Sequence, residues 1–564
     1  MAWRAAVPTG TKYACEVKRA LPLVILLAAQ ASALLWEAWR LGVTADEPSH
    51  LTASYMYWLG RDVLYPSDTP PLMRMLVGWV PRALGAPSPL DDLQWSSRNS
   101  YDLAPRVLYS QGAAKARRLM FLARLPFILF PLLITLVVWA WGRALFGDGI
   151  ALALAACTAL EPTLLGHGAL IKSDVMATWG CLLFTWTAWR YWCTPGRLRL
   201  AIMTGALVLA VLTKFTLLAL IPVALLVVLW RGPRLAGPIL LAAAIYIGIL
   251  AAYQLRTGPL DTSYWEPPLD SFVGRGELRL VRILSHVPWP TQFVRGLRFI
   301  GAASRNQSFS AYLFGQRIQG SAPMYFPAAL ALKFPVPLQI LALAGIAAMV
   351  SQAFRRRTTS ASVFICGVAL LLFGLAVRSH LHIGFRHILP ILPLLILIGG
   401  FALHQWGRGR LGRLAAAGLL LWLAVSSLRI YPQGISYFNE WAGGPGNGWK
   451  YLADSNLDWG QNLPELAGYV AEHKLASVKL YYFGADMPEY RMRAGTFTEE
   501  VGPWNPTLTT ARRLQPTPGV YAVSVNLVLG FVLPPGYQDY FAYFRERQPV
   551  GRAGYSIFIY RVPG

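Results

Sequence analysis

Apolar runs of about 18 to 20 residues, the length a helix needs to cross about 30 Å of hydrocarbon, recur along this chain and leave it few folds to choose from. They lie near 20 to 41, 121 to 143, 149 to 168, 174 to 193, 200 to 214, 216 to 231, 234 to 255, 325 to 351, 360 to 378, 386 to 405 and 412 to 430. The reading is a polytopic α-helical membrane protein with about 11 transmembrane helices. Composition agrees: with 55% hydrophobic and 14% charged residues, 564 residues hold too little polar surface to cover a water-soluble globule.

A net charge of +24 would suggest nucleic acid in a soluble protein, but here the cations cluster in short loops between apolar runs. The clusters are Lys12, Lys18 and Arg19; Arg190, Arg197 and Arg199; Arg231 and Arg234; Arg355, Arg356 and Arg357; and Arg408, Arg410 and Arg413. That is the positive-inside pattern, so these loops and the N-terminus are expected in the cytoplasm and a nucleic-acid partner is not. The stretch 200 to 231 is long for one helix, and two short helices turning at Lys214 keep Arg231 and Arg234 on the side of the other basic loops. The apolar run continues past Ala29-Gln30-Ala31, so a retained first helix is expected rather than a cleaved leader. Five cysteines without paired spacing suggest no disulfide or zinc framework.

This parity places three long segments outside: 42 to 120, 256 to 324, and everything after 430. The chain therefore divides into a membrane domain over 1–430 and an extracytoplasmic domain over 431–564. The first loop is rich in proline, including Pro66, Pro70 and Pro71, around short amphipathic stretches such as 73 to 80, which suit helices lying at the interface. After Tyr431, a helical pattern near 462 to 473 and alternation at Val478, Leu480, Tyr482 and at Tyr521, Val523, Val525 predict a small α/β domain.

Chemistry concentrates at the outer membrane face. Thr44-Ala45-Asp46-Glu47-Pro48-Ser49-His50 follows the first span and joins two carboxylates and a histidine, although Thr44 or Asp46 there also suits a helix cap. Asp174, with His167 and Lys172 just before it, stands at the outer end of the fourth span. Ionisable groups at membrane depth cost about 3 kcal/mol or more unless paired, so they tend to line functional cavities. Asp68 and Arg74 in the first loop, and Arg378, His380, His382, Arg386 and His387 around the tenth span, add charge at the same level, which suits either a lipid phosphate or snorkelling to headgroups. His380 and His382 alone are a weak metal pair, so a divalent cation stays open. The chain has no phosphate loop and no dinucleotide fingerprint.

Together these segments resemble the bacterial branch of the GT-C membrane glycosyltransferases (glycosyltransferase family 39 type), which includes protein O-mannosyltransferases and the lipid A aminoarabinose transferase. The matching segments, in chain order, are Asp46-Glu47-Pro48-Ser49-His50, Asp68-Thr69-Pro70-Pro71-Leu72, residues 167 to 174, Leu212-Thr213-Lys214-Phe215, Tyr325-Phe326-Pro327 with Lys333-Phe334-Pro335, and Arg386-His387-Ile388-Leu389-Pro390. The tail segment Asp454-Ser455-Asn456-Leu457-Asp458-Trp459-Gly460-Gln461 looks like that of a bacterial subgroup, with no role assigned to it. The resemblance implies inverting transfer of a sugar from a polyprenyl-phosphate donor to an acceptor hydroxyl at the outer face of the plasma membrane. It implies Asp46 as general base, with Glu47 and Asp174 positioning the acceptor or tuning Asp46. Arg74, Lys172, Arg386 and His387 would hold the donor phosphate, with His50, Asp68 and His167 in support. The sequence departs from the family where Thr69 follows Asp68 in place of a basic residue, so a cation must come from elsewhere. Two other readings are a lipid-linked sugar transporter or flippase, and a noncatalytic envelope assembly protein.

Overall fold

The computed structural model describes residues 10–61, 68–233, 235–257, 287–305, 310–500 and 513–564. Pro66, Arg234, the side chains of Lys12, Cys15, Lys18 and Arg19, and much of the 256 to 324 segment lie outside the described residues.

Helices occupy every stretch expected to span. Among the described residues, six are long and apolar enough to cross a membrane alone: Ala20–Arg40, Ala113–Phe146, Val336–Phe354, Ser360–Arg378, Phe385–Trp406 and Arg410–Ile430. The pair Asp148–Ala159 and Pro162–Gly168, bent by 58°, makes a seventh if counted as one. The others include two shorter apolar helices, Phe215–Arg231 and Ala236–Ala252.

The breaks have local causes. Pro162 forces Glu161 out of the helical region, and the Glu161 carboxylate then caps the next helix by accepting from Leu164 N at 2.6 Å. Pro335 likewise holds Phe334 extended, so the single span expected over 325 to 351 is two helices, Tyr325–Lys333 and Val336–Phe354. The expected turn at Lys214 is present: Lys214 is extended between the helix Arg197–Val211 and the 3-10 turn Phe215–Ala219.

Phe385–Trp406 is the central helix, 83% buried over its apolar window, whereas Arg410–Ile430 is 11% buried and turns its apolar side outward. In lipid that exposure carries no penalty, because an apolar side chain is as well solvated there as in a core.

Beyond the last span, a five-stranded sheet forms with Val478–Tyr481 between Phe497–Glu499 and Gly519–Ser524, both parallel to it. Ile557–Val562 and Gly551–Ala553 complete it in antiparallel fashion. Leu463, Leu466 and Val470 on the helix Leu463–Glu472 bury one face of the sheet against Val478, Leu480 and Ile557. This sheet region rests on the first loop: Val43 N donates to Asp486 Oδ2 at 3.1 Å, and the Tyr109 hydroxyl donates to Ala485 O at 2.7 Å. Residues 434–461 do not belong to the sheet. They run back under it, where Ala45 N donates to Trp459 O at 2.8 Å and Gly42 N to Gln461 O at 3.0 Å.

Candidate functional site

The helix Glu47–Trp58 begins at Asp46, yet the Asp46 side chain caps nothing. Its carboxylate turns instead toward the start of the helix Ser173–Cys193, where Oδ2 accepts from Lys172 Nζ at 2.7 Å, while Oδ1 accepts from the Tyr101 hydroxyl at 3.1 Å. Asp174, in the first turn of that helix, accepts from Lys214 Nζ at 2.5 Å. Arg386 joins the two acids: Nη1 stands 3.7 Å from Asp46 Oδ2 and 3.6 Å from Asp174 Oδ2. Three spans and the first loop thus meet at one paired-ion cluster, and the side chains of Asp174 and Arg386 are only 2% and 6% exposed.

Burial opposes the charge on Asp46, but Lys172, Arg386 and His50 outweigh it and hold its carboxyl well below the usual carboxylate range. His50 is pushed down to about 4 by burial, then by Lys172, so its ring is neutral at pH 7 and Nε2 accepts from Lys172 Nζ at 2.7 Å. Lys172 thereby spans Asp46 and His50, and its ammonium also lies 5.6 Å from the centre of the Trp459 ring.

Glu47 has a different environment. Arg124 donates to it from Nε at 2.8 Å and Nη2 at 2.6 Å, and Thr44 N and Ile171 N add bonds at 2.9 and 3.1 Å. Burial raises its pKa, but Arg124 and these bonds lower it further, leaving it ionised. The Arg124 Nη groups also cap the first helix, donating to Ala38 O, Leu41 O and Gly42 O. Both Glu47 oxygens are therefore spent on holding the 41–47 corner, not presented to a ligand.

Of the remaining expected residues, Arg74 is buried and contributes to the field at His50, as does Asp68. Asp68 Oδ1, His167 Nε2 and His387 Nε2 are buried without a hydrogen-bond partner among the described residues. His167 Nδ1 pairs with Thr163 O at 3.0 Å and its ring leans on Trp459 at 6.0 Å. Arg378 is the last residue of its helix, and His382 packs against the rings of Tyr325 and Phe326.

Lys214 is a further cation of this cluster, paired with Asp174. The sequence points to Lys214 as a turn and as part of the matching segment Leu212-Thr213-Lys214-Phe215, with no role in the site, and Arg124 reads as an ordinary arginine at a span's end. Among the described residues no group of three histidine, cysteine or acidic side chains converges as a metal site would require. Asp46 and Asp174 are already matched by Lys172, Lys214 and Arg386, so the donor set does not fit a divalent cation.

The tail contributes as well. Arg386 Nε donates to Ser455 Oγ at 3.0 Å, and the Trp459 ring centre lies 4.2 Å from Arg386 Cζ. Asp454 has a positive φ of 59°, its backbone N fixed by Asn526 Oδ1, and burial outweighs Arg386 to raise its carboxyl to about 6. Asp458 is raised to about 7 by burial, with Oδ1 accepting from Gly460 N and Oδ2 unpartnered among the described residues.

Fold and site together define a multi-pass membrane protein with a cluster of paired ions enclosed between its helices and its extramembrane segments. No family model matches the chain, and no curated protein matches it. Among solved structures it is similar to ArnT from Cupriavidus metallidurans bound to undecaprenyl phosphate, at 13% identity and a TM-score of 0.46, over 95% of this chain and 97% of that one. The apo state of the same protein gives 15% identity and a TM-score of 0.44 over the same shares. The Archaeoglobus fulgidus oligosaccharyltransferase, tethered with an acceptor peptide, gives 14% identity and a TM-score of 0.38 over 74% of this chain and 54% of that one.

Proposed function

We propose that this protein transfers a sugar, with inversion, from a polyprenyl-phosphate donor to an acceptor hydroxyl at the extracytoplasmic face of the plasma membrane. The observation that carries this reading is the convergence of Asp46 and Asp174 on a single nitrogen of Arg386, with Lys172 and Lys214 closing the cluster. A lipid phosphate needs positioned cations, and an attacking hydroxyl needs a carboxylate beside them.

In the reaction, the acceptor oxygen attacks the anomeric carbon as the bond from that carbon to the phosphate oxygen breaks. The electron pair leaves on the phosphate, and the acceptor proton passes to Asp46. Held by Lys172 and Arg386, Asp46 is a poor base at rest. A donor phosphate that draws those cations toward itself frees the carboxylate and raises its basicity, so donor binding prepares proton transfer. Asp174, itself paired with Lys214, lies behind Arg386, His50 orients Lys172, Arg74 and His387 add phosphate contacts, and Asp68 and His167 support the wall. Glu47 acts through Arg124, fixing the corner that carries Asp46.

The test is transfer by purified protein in lipid nanodiscs, supplied with polyprenyl-phosphate sugars and extracted envelope acceptors. Asp46→Asn should lose transfer by about 100-fold or more, the scale of general-base loss, while still binding donor. Arg386→Ala should raise the donor KM. Equal transfer by Asp46→Asn would remove it from the role of base.

A further inference from the structure

The tail segment 454–461 has no role in the transfer as the sequence reads it, yet its side chains surround one catalytic cation. Arg386 is bound on three sides. Its Nε donates to Ser455 Oγ at 3.0 Å, and Ser455 is itself aimed by donating to Ile383 O at 2.5 Å. Its flat face lies 4.2 Å from the Trp459 ring centre. Phe385 N, next in the chain, donates to Asn456 Oδ1 at 2.8 Å.

The segment is in turn rigidly held. Lys333, fully buried, donates to Asn456 O at 2.5 Å and to Ile435 O and Tyr437 O at 2.9 Å each, and Gln461 Nε2 donates to Leu457 O at 2.9 Å. At Gly384, φ is +152° and an added Cβ would overlap Ser455 Oγ, so the chain passes Ser455 with no room for a side chain.

The third side is the informative one. Between two carboxylates, a free guanidinium would settle into a bidentate pair with one of them. Here Nη1 stands 3.6 and 3.7 Å from the two acids, longer than a direct hydrogen bond to either. With Nε committed to Ser455 and the face committed to the indole, neither acid captures the group.

We propose that Ser455 and Trp459 are positioning residues that keep Arg386 uncaptured between Asp46 and Asp174 and available to the donor phosphate. This rests on the proposed transfer reading and gives the tail segment its part in it. The indole serves by its π face as well as by its volume, since a guanidinium over an aromatic ring gains attraction that an aliphatic side chain of similar size does not supply.

The experiment measures affinity for farnesyl phosphate, a short polyprenyl monophosphate, by titration calorimetry on the full-length protein in detergent, with donor KM and kcat alongside. Trp459→Leu should weaken farnesyl phosphate about tenfold and raise donor KM by a similar factor with a smaller change in kcat. Trp459→Phe should stay within about threefold of wild type, and Ser455→Ala should weaken binding in the same direction as Trp459→Leu. In an Arg386→Ala background, Trp459→Leu should cost nothing further. If Trp459→Leu and Trp459→Phe bind alike, or Trp459→Leu costs as much without Arg386 as with it, the indole is a packing element and the inference falls alone. If Arg386→Ala itself leaves farnesyl phosphate affinity unchanged, the phosphate reading beneath it falls instead.

Discussion

Two carboxylates adjacent in sequence, Asp46 and Glu47, are divided by their partners. Lys172 and Arg386 leave Asp46 at the edge of the cluster, whereas Arg124 and two backbone amides enclose Glu47 completely. Removing one member of a buried pair strands the other charge at a cost of about 3–5 kcal/mol. Glu47→Gln should therefore lower the thermal unfolding temperature in detergent strongly, and Glu47→Gln with Arg124→Gln should recover part of the loss. An unchanged melting temperature in the single variant would sink the structural role given to Glu47. Asp458 makes a pH prediction. Its carboxyl is raised to about 7 in the fold by burial, against about 3.9 for an ordinary aspartate, so folding takes up its proton. The associated stability is complete below about pH 4 and is lost as the pH rises through about 7. Melting temperature should fall from pH 5 to pH 8 more steeply in wild type than in Asp458→Asn, and parallel curves would refute it. The acids, the histidines and Arg386 were legible from sequence because each sits at the end of an apolar run, where charge is conspicuous. Arg124 was not, because arginines commonly end spans, and its partner lies 77 residues away. Trp459 was one of 21 tryptophans, and only the folded chain sets it beneath Arg386.

Helix breaks build the site; the turn at Lys214 is expected from sequence, whereas 149 to 168 and 325 to 351 read as single spans. Pro162, Pro335 and the polar Thr213-Lys214 pair each stop a helix where an unbroken span would have carried the chain past the cluster. The break at Lys214 matters most, since extended backbone there delivers the ammonium to Asp174. Lys214→Met should keep the helices but leave Asp174 to draw Arg386 toward itself, reducing transfer by about 100-fold, on the scale of losing one positioned donor. Lys214→Arg should recover part of that activity, and wild-type turnover in Lys214→Met would dismiss Lys214 from the site. In the sheet, alternation foretold Val478–Tyr481 and Gly519–Ser524. The pairing of Gly519–Ser524 with Ile557–Val562 was beyond sequence patterns, because register joins strands with no shared local signal.

At the scale of the molecule, topology is testable without any knowledge of substrate. With Cys193 replaced by serine, a cysteine introduced at exposed Ala494 should react with a membrane-impermeant maleimide in intact cells, and one at exposed Thr358 should react only after lysis. The reverse pattern would overturn the outward placement of Asp46, because Val43 N and Asp486 are joined directly and so share one side of the membrane. The helical stretches and the strands of the tail were readable from apolar run length and alternation, although among the described residues only six of the eleven expected spans, or seven with the bent pair, are long and apolar enough to cross a membrane. The path of residues 434–461 was not: no local pattern marks its course, which is fixed by long-range bonds to Lys333, Gly42 and Ala45. That course has a bearing on how the protein is made. Trp459 is translated 413 residues after Asp46. A growing chain therefore completes the Asp46, Asp174 and Arg386 cluster before the segment proposed to position Arg386 has been made.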